Sequence, residues 1–330
     1  MEVYSLEKNI ESFFETQTDA SRLECESLAR SQMGSAKPAA IQGACSFTLV
    51  GDEDVKSGKV VQFRSSKEPL DAGILRLAKD THGDFVPDIR SLGLLGKEKP
   101  VSAWMMTKVD GLPLIQGNLR DGRLLKTATD FGRFFAQAWL HPQPHSNDQL
   151  ECAYQKMHAR LLTMQQSLPI RFQKAIVQTL SDLHCLYQVD FPQTLAHGDL
   201  CMMNIMVDPQ SGGLNGIIDW AAASIGPFGL GLYGLDSLLG TMDSKGWHYH
   251  ADAVAIEDSF WRAFRDSVGL IHHNDVCRIK IGRTLGILLR YGYTWDVTLQ
   301  DIRPLNDQDA DSDAAYLDVG LAHLETKQTL

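Results

Sequence analysis

The chain has 330 residues, with 31 Lys+Arg against 41 Asp+Glu and a formal net charge of −10. A composition of 44% hydrophobic and 22% charged residues supports a packed core and excludes intrinsic disorder, and the length predicts two packed units or one large one. The acidic balance argues against nucleic-acid partners, which are held by Lys/Arg contacts to phosphates, and the six cysteines show no CxxC pair or zinc-ligand spacing, as expected of a reduced, cytoplasmic chain.

Residues 1–34 read as a polar helical extension, with Leu6, Ile10, Phe13 and Phe14 at helical spacing. Its early acids and lack of a long apolar run predict neither a signal nor a transit peptide. Two β-type runs, 43–50 and 60–64, flank the turn-rich segments 51–54 and 56–58, which is a hairpin pattern. Residues 68–82 predict a helix with Leu70, Ile74, Leu77 and Ala78 on one stripe, and 92–95 and 101–106 predict short strands around a Lys-rich turn. Residues 35–110 therefore read as a small β-rich lobe.

After Asp110 and Gly111 the pattern changes. Helix periodicity covers 121–140 and 150–188, with Phe131, Phe134, Phe135 and Ala138 as core positions. Brief β runs follow at 194–196, 205–207 and 216–219. The longest uncharged run, 220–235, is broken by four glycines and a proline and is shorter than the about 20 apolar residues of a membrane span, so no membrane partner is expected. The helical pattern returns over 230–299, with Trp261, Phe264, Leu285, Leu288 and Leu289 as core, and the acidic stretch 301–313 reads as a solvated loop before a last helix at 314–326. Residues 111–330 thus predict a larger, mostly helical lobe, and the chain an α+β class.

The chemistry concentrates in Leu195-Ala-His-Gly-Asp-Leu-Cys-Met-Met-Asn-Ile-Met-Val207 and in Gly216-Ile-Ile-Asp-Trp220. Taken singly, Asp199 and Asn204 are ordinary turn residues. Taken together with Asp219 they supply the parts of a phosphoryl-transfer site: a carboxylate to orient an attacking hydroxyl, and an amide and a second carboxylate to hold Mg²⁺. Mg²⁺ takes hard oxygen ligands and keeps several waters, so such a small protein set suffices. His197 is expected to pack and hydrogen-bond within the loop rather than act as a base.

These residues resemble the aminoglycoside phosphotransferase and choline kinase-like family of the protein-kinase-like fold, its fungal members included. The family's His-Gly-Asp-Leu-x-x-x-Asn is met by His197, Gly198, Asp199, Leu200 and Asn204, and its Ile-Asp-Trp by Ile218, Asp219 and Trp220. Gln42 to Thr48 resembles the nucleotide-covering loop and Trp104 to Gly111 the hinge, and the likeness continues through Pro227-Phe228-Gly229 to Arg290-Tyr291-Gly292. The resemblance implies a bilobal fold, with ATP and Mg²⁺ as cofactors and a small hydroxylated metabolite as acceptor. It implies Asp199 as base or orienter, Asn204 and Asp219 on Mg²⁺, and ATP between the lobes on Gly43, Ser46, Arg64, Met106 and Lys108.

Three features depart from the family pattern. The strand Val60-Val-Gln-Phe-Arg64 carries an arginine for the phosphate-contacting residue, with Gln62 and Arg64 on one strand face; a surface arginine at a strand end is the alternative. Its acidic partner is expected to be Asp71, with Glu68 competing. The covering loop has the single glycine Gly43, which also suits a plain hairpin turn, and after Asp-Trp the nearest acid is Asp236. Two other readings stay open: a kinase fold that binds nucleotide or metabolite without phosphoryl transfer, and one recruited for ATP-independent chemistry on a metabolite.

Overall fold

Five strands of the amino-terminal third join in one antiparallel sheet in a computed structural model that describes residues 4–51, 58–120, 122–296, 298–299 and 301–326. The chain divides into two compact units, 1–111 with 215–221, and 112–214 with 222–330. Residues 215–221, placed with 111–330 by sequence order, thus pack with the first unit. The expected turn residues 52–54 and 56–57 lie outside the described residues.

The first unit opens with helices α1 (Leu6–Thr16) and α2 (Arg22–Met33). It continues through β1 (Lys37–Pro38), β2 (Ser46–Val50), β3 (Lys59–Ser65), α3 (Ala72–His82), β4 (Ile89–Leu95) and β5 (Val101–Thr107), with sheet order β1-β2-β3-β5-β4. Strand alternation puts Phe47, Leu49, Val61, Phe63, Val101 and Ala103 on one face, where they pack with Ile10 and Phe13 of α1 and Cys25 and Ala29 of α2. The opening helices are therefore part of this unit's core. Burial among these side chains pushes the Cys25 thiol up to about 12.

Between the helices, the Asp19 carboxylate accepts the backbone N–H groups of Lys97, Glu98 and Lys99. That bond set ties the α1–α2 corner to the β4–β5 turn, and a Cβ at Gly96 would collide with the same carboxylate. The helix expected over 68–82 starts at Ala72, because Asp71 caps it by accepting from the N–H groups of Gly73 and Ile74.

The second unit starts with β6 (Leu112–Pro113) and α4 (Leu114–Gly117), followed by α5 (Arg123–Leu140), α6 (Asn147–Ser167) and α7 (Gln173–Asp182). Its short strands are β7 (Gln193–Ala196), β8 (Ile205–Val207), β9 (Leu214–Ile217, which passes into the first unit) and β10 (Ser224–Pro227), with β10 antiparallel to β7. Then come α8 (Asp236–Leu239), β11 (Gly240–Asp243), β12 (Gly246–Tyr249), α9 (Ala253–Val268), α10 (His273–Tyr291), β13 (Tyr293–Asp296), β14 (Asp301–Pro304) and α11 (Asp311–Thr326).

Phe131, Phe134 and Phe135 of α5 form an aromatic core with Phe228, Phe260 and Phe264. Offset and edge-to-face ring pairs of this kind add about 0.5–1.5 kcal/mol each beyond their burial. At Gly132 any Cβ would fall inside contact range of the Phe260 carbonyl, so α5 and α9 approach as closely as two backbones can.

Three expectations for this unit are corrected. The helix read over 150–188 is two helices, since a Ser146/Gln149 capping box starts α6 early and Pro169 separates it from α7. The helical pattern over 230–299 is interrupted by the β11–β12 hairpin, whose turn glycine Gly246 has φ 116°, and by β13. The stretch 301–313 is a loop only over 305–310: its start forms β14, its end enters α11, and Arg303 is held in ion pairs with Asp296 at 2.9 Å and Asp309 at 2.6 Å. Compensating charges turned a sequence that reads as polar into an ordered corner. Among the described residues no helix is long and apolar enough to cross a membrane.

Candidate active site

In the second unit the His-Gly-Asp loop leaves β7 through Gly198, which has φ 80°. A Cβ there would fall well inside contact range of the Ala222 carbonyl, so both conformation and space demand glycine. His197 is buried and its Nδ1 accepts the Asp199 N–H at 3.2 Å, a loop-holding contact of the kind expected. The next amide, Leu200 N–H, donates to the Tyr233 hydroxyl at 3.0 Å. Burial pushes that phenol up to about 12, so it stays a neutral support for the loop.

Asn204 closes the loop on itself. Its Nδ2 donates to the Asp199 carbonyl at 2.8 Å and to Asp199 Oδ2 at 3.2 Å. Both partners are acceptors only, which fixes the NH₂ toward Asp199 and turns the amide oxygen the other way. Asn204 therefore presents the hard oxygen that Mg²⁺ prefers. The neighbouring Cys201 thiol is raised by burial and is not poised as a nucleophile.

Asp199 carries one further partner. Arg290, in the last turn of α10, places Nη2 2.5 Å from Asp199 Oδ1, and the two side chains are 36% and 35% exposed. The sequence offered no reading of Arg290 beyond its place in the resemblance. A basic residue in the final turn of a helix is common for dipole reasons alone, so its position carries no signal that it faces a residue 91 positions away.

In the first unit Arg64 and Asp219 meet. Arg64 is 4% exposed, not a surface strand-end arginine, and it shares its strand face with Gln62 as alternation requires. Its Nη1 lies 3.3 Å from Asp219 Oδ1, its Nε donates to the Glu68 carbonyl at 3.0 Å, and its Nη2 lies 3.6 Å from Glu68 Oε2. The acidic partner is thus Glu68, because Asp71 is committed to the cap of α3.

Asp219 has φ 63°, a left-handed conformation costly for a non-glycine residue. Trp220 steadies that turn: it is buried, donates from Nε1 to the Ile217 carbonyl at 3.0 Å, and lies against the His82 ring. The strain is spent holding a carboxylate that is 44% exposed, an orientation that folding alone does not require.

The loop before β2 is pinned by Gln42, whose side chain donates to the Ala39 and Thr48 carbonyls and accepts the Thr48 N–H. Gly43 fits a tight turn, since a Cβ there would come 2.9 Å from Ser46 Oγ. Ser46 N–H donates back to the Gly43 carbonyl, while the N–H groups of Ala44 and Cys45 have no hydrogen-bond partner among the described residues. Two free amides in a tight turn suit a phosphate oxygen. Met106 lies in β5 opposite Val60 and Ile89, and the Lys108 N–H donates to the Gly58 carbonyl at 2.7 Å. That amide is already spent, so at Lys108 only other groups are open to a ligand.

Residues 72–233, just under half of the chain, match the model of the Phosphotransferase enzyme family, and both motif segments lie inside that span. Gly43, Ser46 and Arg64 lie outside it. No curated protein sequence matches the chain. Among solved structures, the chain is similar to a thermostable mutant of aminoglycoside phosphotransferase APH(4)-Ia in a ternary complex with ADP and hygromycin B. The identity is 15% and the TM-score 0.53, over 92% of this chain and 99% of that one. It is also similar to the apoenzyme of macrolide 2'-phosphotransferase MphH from Brachybacterium faecium, at 15% identity and a TM-score of 0.52, over 94% of this chain and 100% of that one. At such identities the likeness establishes the fold, a mixed α/β kinase-like one with its main sheet in the amino-terminal part and its helices mostly in the carboxy-terminal part.

Proposed function

We propose that the chain is a small-molecule kinase that transfers the γ-phosphoryl group of ATP to a hydroxyl of a metabolite. The observation that carries this reading is the Asp199–Asn204 loop: a part-exposed carboxylate whose partner amide is locked with its NH₂ on Asp199 and its oxygen turned away from it. Packing alone asks for neither feature.

In this reading Asp199 accepts a hydrogen bond from the acceptor hydroxyl and orients it in line with the γ-phosphorus. The hydroxyl oxygen forms the new P–O bond as the bond to the β–γ bridging oxygen breaks. ADP leaves, and the hydroxyl proton passes to Asp199 and on to solvent. Arg64 and the free amides of Ala44 and Cys45 contact the phosphates, with Gly43 and Ser46 shaping that turn. Met106 and Lys108 flank the base. Asn204, through its amide oxygen, and Asp219 are the residues that would hold Mg²⁺, which when bound neutralises charge on the phosphates. The family match over 72–233 supports the transferase class.

The test is the thermal midpoint with and without Mg²⁺ and ATP, for the wild type and for Asp219→Asn. A ligand at about a hundred times its Kd adds roughly 2.7 kcal/mol, a shift of about 2–4 °C for a chain of this size. A Mg²⁺-dependent shift that the variant loses supports the reading. No shift at millimolar ATP would remove it, and a shift without ATP consumption on any acceptor would leave a nucleotide-binding protein.

A further inference from the structure

The guanidinium of Arg290 is used at one corner only. Nη2 engages Asp199 Oδ1, while Nε and Nη1 have no hydrogen-bond partner among the described residues. The Tyr291 ring, its centroid 5.8 Å from Arg290 Cζ, lies beside the group, and the side chain is about one third exposed. A planar fork of five N–H donors is made to receive two oxygens at once. Holding Asp199 requires one of those donors.

The open donors lie within one guanidinium width of the carboxylate that, under the proposed function, receives the acceptor hydroxyl. An ammonium group brought to that position meets a like charge. A carboxylate or phosphate meets a fork of unused donors.

Resting on the kinase reading, we propose that the acceptor carries an oxyanion, a carboxylate or a phosphate, close to the hydroxyl that is phosphorylated, and that Arg290 binds it. The transfer is the one already written: the hydroxyl oxygen gains the γ-phosphoryl group, ADP leaves, and the oxyanion is unchanged. Arg290 thus selects the acceptor as well as holding Asp199, and it selects against amine-rich acceptors.

The experiment measures ADP release on three matched sets of alcohols: hydroxycarboxylic acids and polyol phosphates, their neutral amides or parent polyols, and the corresponding amino alcohols. It uses the wild type, Arg290→Lys and Arg290→Gln, each first checked for the Mg²⁺-ATP thermal shift. The expected result is turnover on the anionic set, a KM for it raised about tenfold or more in Arg290→Gln with a smaller change in kcat, and partial recovery in Arg290→Lys. Which anionic subset turns over tells carboxylate from phosphate. Turnover confined to neutral or amino alcohols overturns the proposal, as does an Arg290→Gln loss that falls on kcat equally for charged and neutral acceptors. So does an intact thermal shift with no anionic acceptor phosphorylated. Absence of the shift in the wild type overturns the kinase reading itself, and this inference with it.

Discussion

Arg64 and Asp219 are 155 residues apart in the chain and meet in a 3.3 Å ion pair inside the first unit. One partner is buried and fixed by Glu68, and the other is part-exposed on a left-handed turn. The pair holds a carboxylate and a guanidinium side by side, which suits binding a metal and phosphates better than it suits stability, since exposure of Asp219 weakens its worth as a bridge.

Replacing Arg64 by Met should therefore act on ATP more than on the fold. The expected outcome is a KM for ATP raised by about tenfold or more, equivalent to roughly 1.4 kcal/mol, with a much smaller change in thermal midpoint. Steady-state kinetics at varied ATP beside a melting curve would check it. A large stability loss with unchanged KM would assign Arg64 to the fold alone.

Asp199→Asn separates binding from transfer. The amide keeps the shape and still accepts from Asn204, but it cannot take a proton. We expect kcat to fall by about 10²–10⁴-fold, the usual contribution of a positioned acid–base group, while the Mg²⁺-ATP thermal shift persists. Retention of turnover in this variant would refute the role of Asp199.

Gly198→Ala tests the loop geometry. The new Cβ meets the Ala222 carbonyl in a backbone already at φ 80°, so the loop must move. The expected cost is about 1–3 kcal/mol of stability together with loss of turnover, read by melting and by ATP consumption. Normal activity in this variant would show that the loop tolerates displacement.

Deep in the second unit, Arg283 lies 2.7 Å from Asp236 Oδ1 and 3.2 Å from Glu257 Oε1, and His323 Nε2 is 3.2 Å from both Glu257 oxygens. This cluster joins α8, α9, α10 and α11, and it is where the helix after the Asp-Trp motif is anchored. Removing Arg283 by substitution to Met takes the guanidinium from two buried carboxylates and leaves Asp236 without its ion-pair partner, while Glu257 keeps His323, at an expected cost of about 3–5 kcal/mol. Burial holds the Asp236 carboxyl above its ordinary 3.8 even with Arg283 beside it. A raised folded-state value favours folding fully below the unfolded value and loses that contribution as pH rises through the folded one. The deficit of Arg283→Met should accordingly be largest near pH 7 and shrink as pH falls toward the ordinary carboxyl range. A deficit independent of pH would mean that lost packing, not stranded charge, is the cause.

The Arg303 corner should behave with the opposite sign. Hydrogen bonds from Arg303 hold Asp309 below the ordinary carboxylate range. A depressed value stabilises above the unfolded pKa and is lost as pH falls through the folded one. Arg303→Leu should lower the midpoint at pH 7, and the difference from wild type should fade below about pH 4. A gap of constant size down to pH 3 would count against it.

Much of the fold was legible along the chain, and so were the segments that carry the candidate site. Strand alternation alone put Gln62 and Arg64 together, apart from Val61 and Phe63, and the spacing from His197 to Asn204 and on to Trp220 marked the loop and turn that carry Asp199, Asn204 and Asp219. Those signals are local: a strand repeats every two residues, and a turn needs particular residues at fixed offsets. The tertiary structure decided everything that depends on distant partners. It chose Glu68 over Asp71 for Arg64, because a helix start claimed Asp71 first. Packing also took residues 215–221 into the first unit, turned an acidic stretch into an ion-paired corner, and set Arg290 on Asp199 across 91 residues. Side-chain type states what charge a residue can offer, but which charge answers it is settled by packing that brings remote segments together, and no local periodicity encodes that.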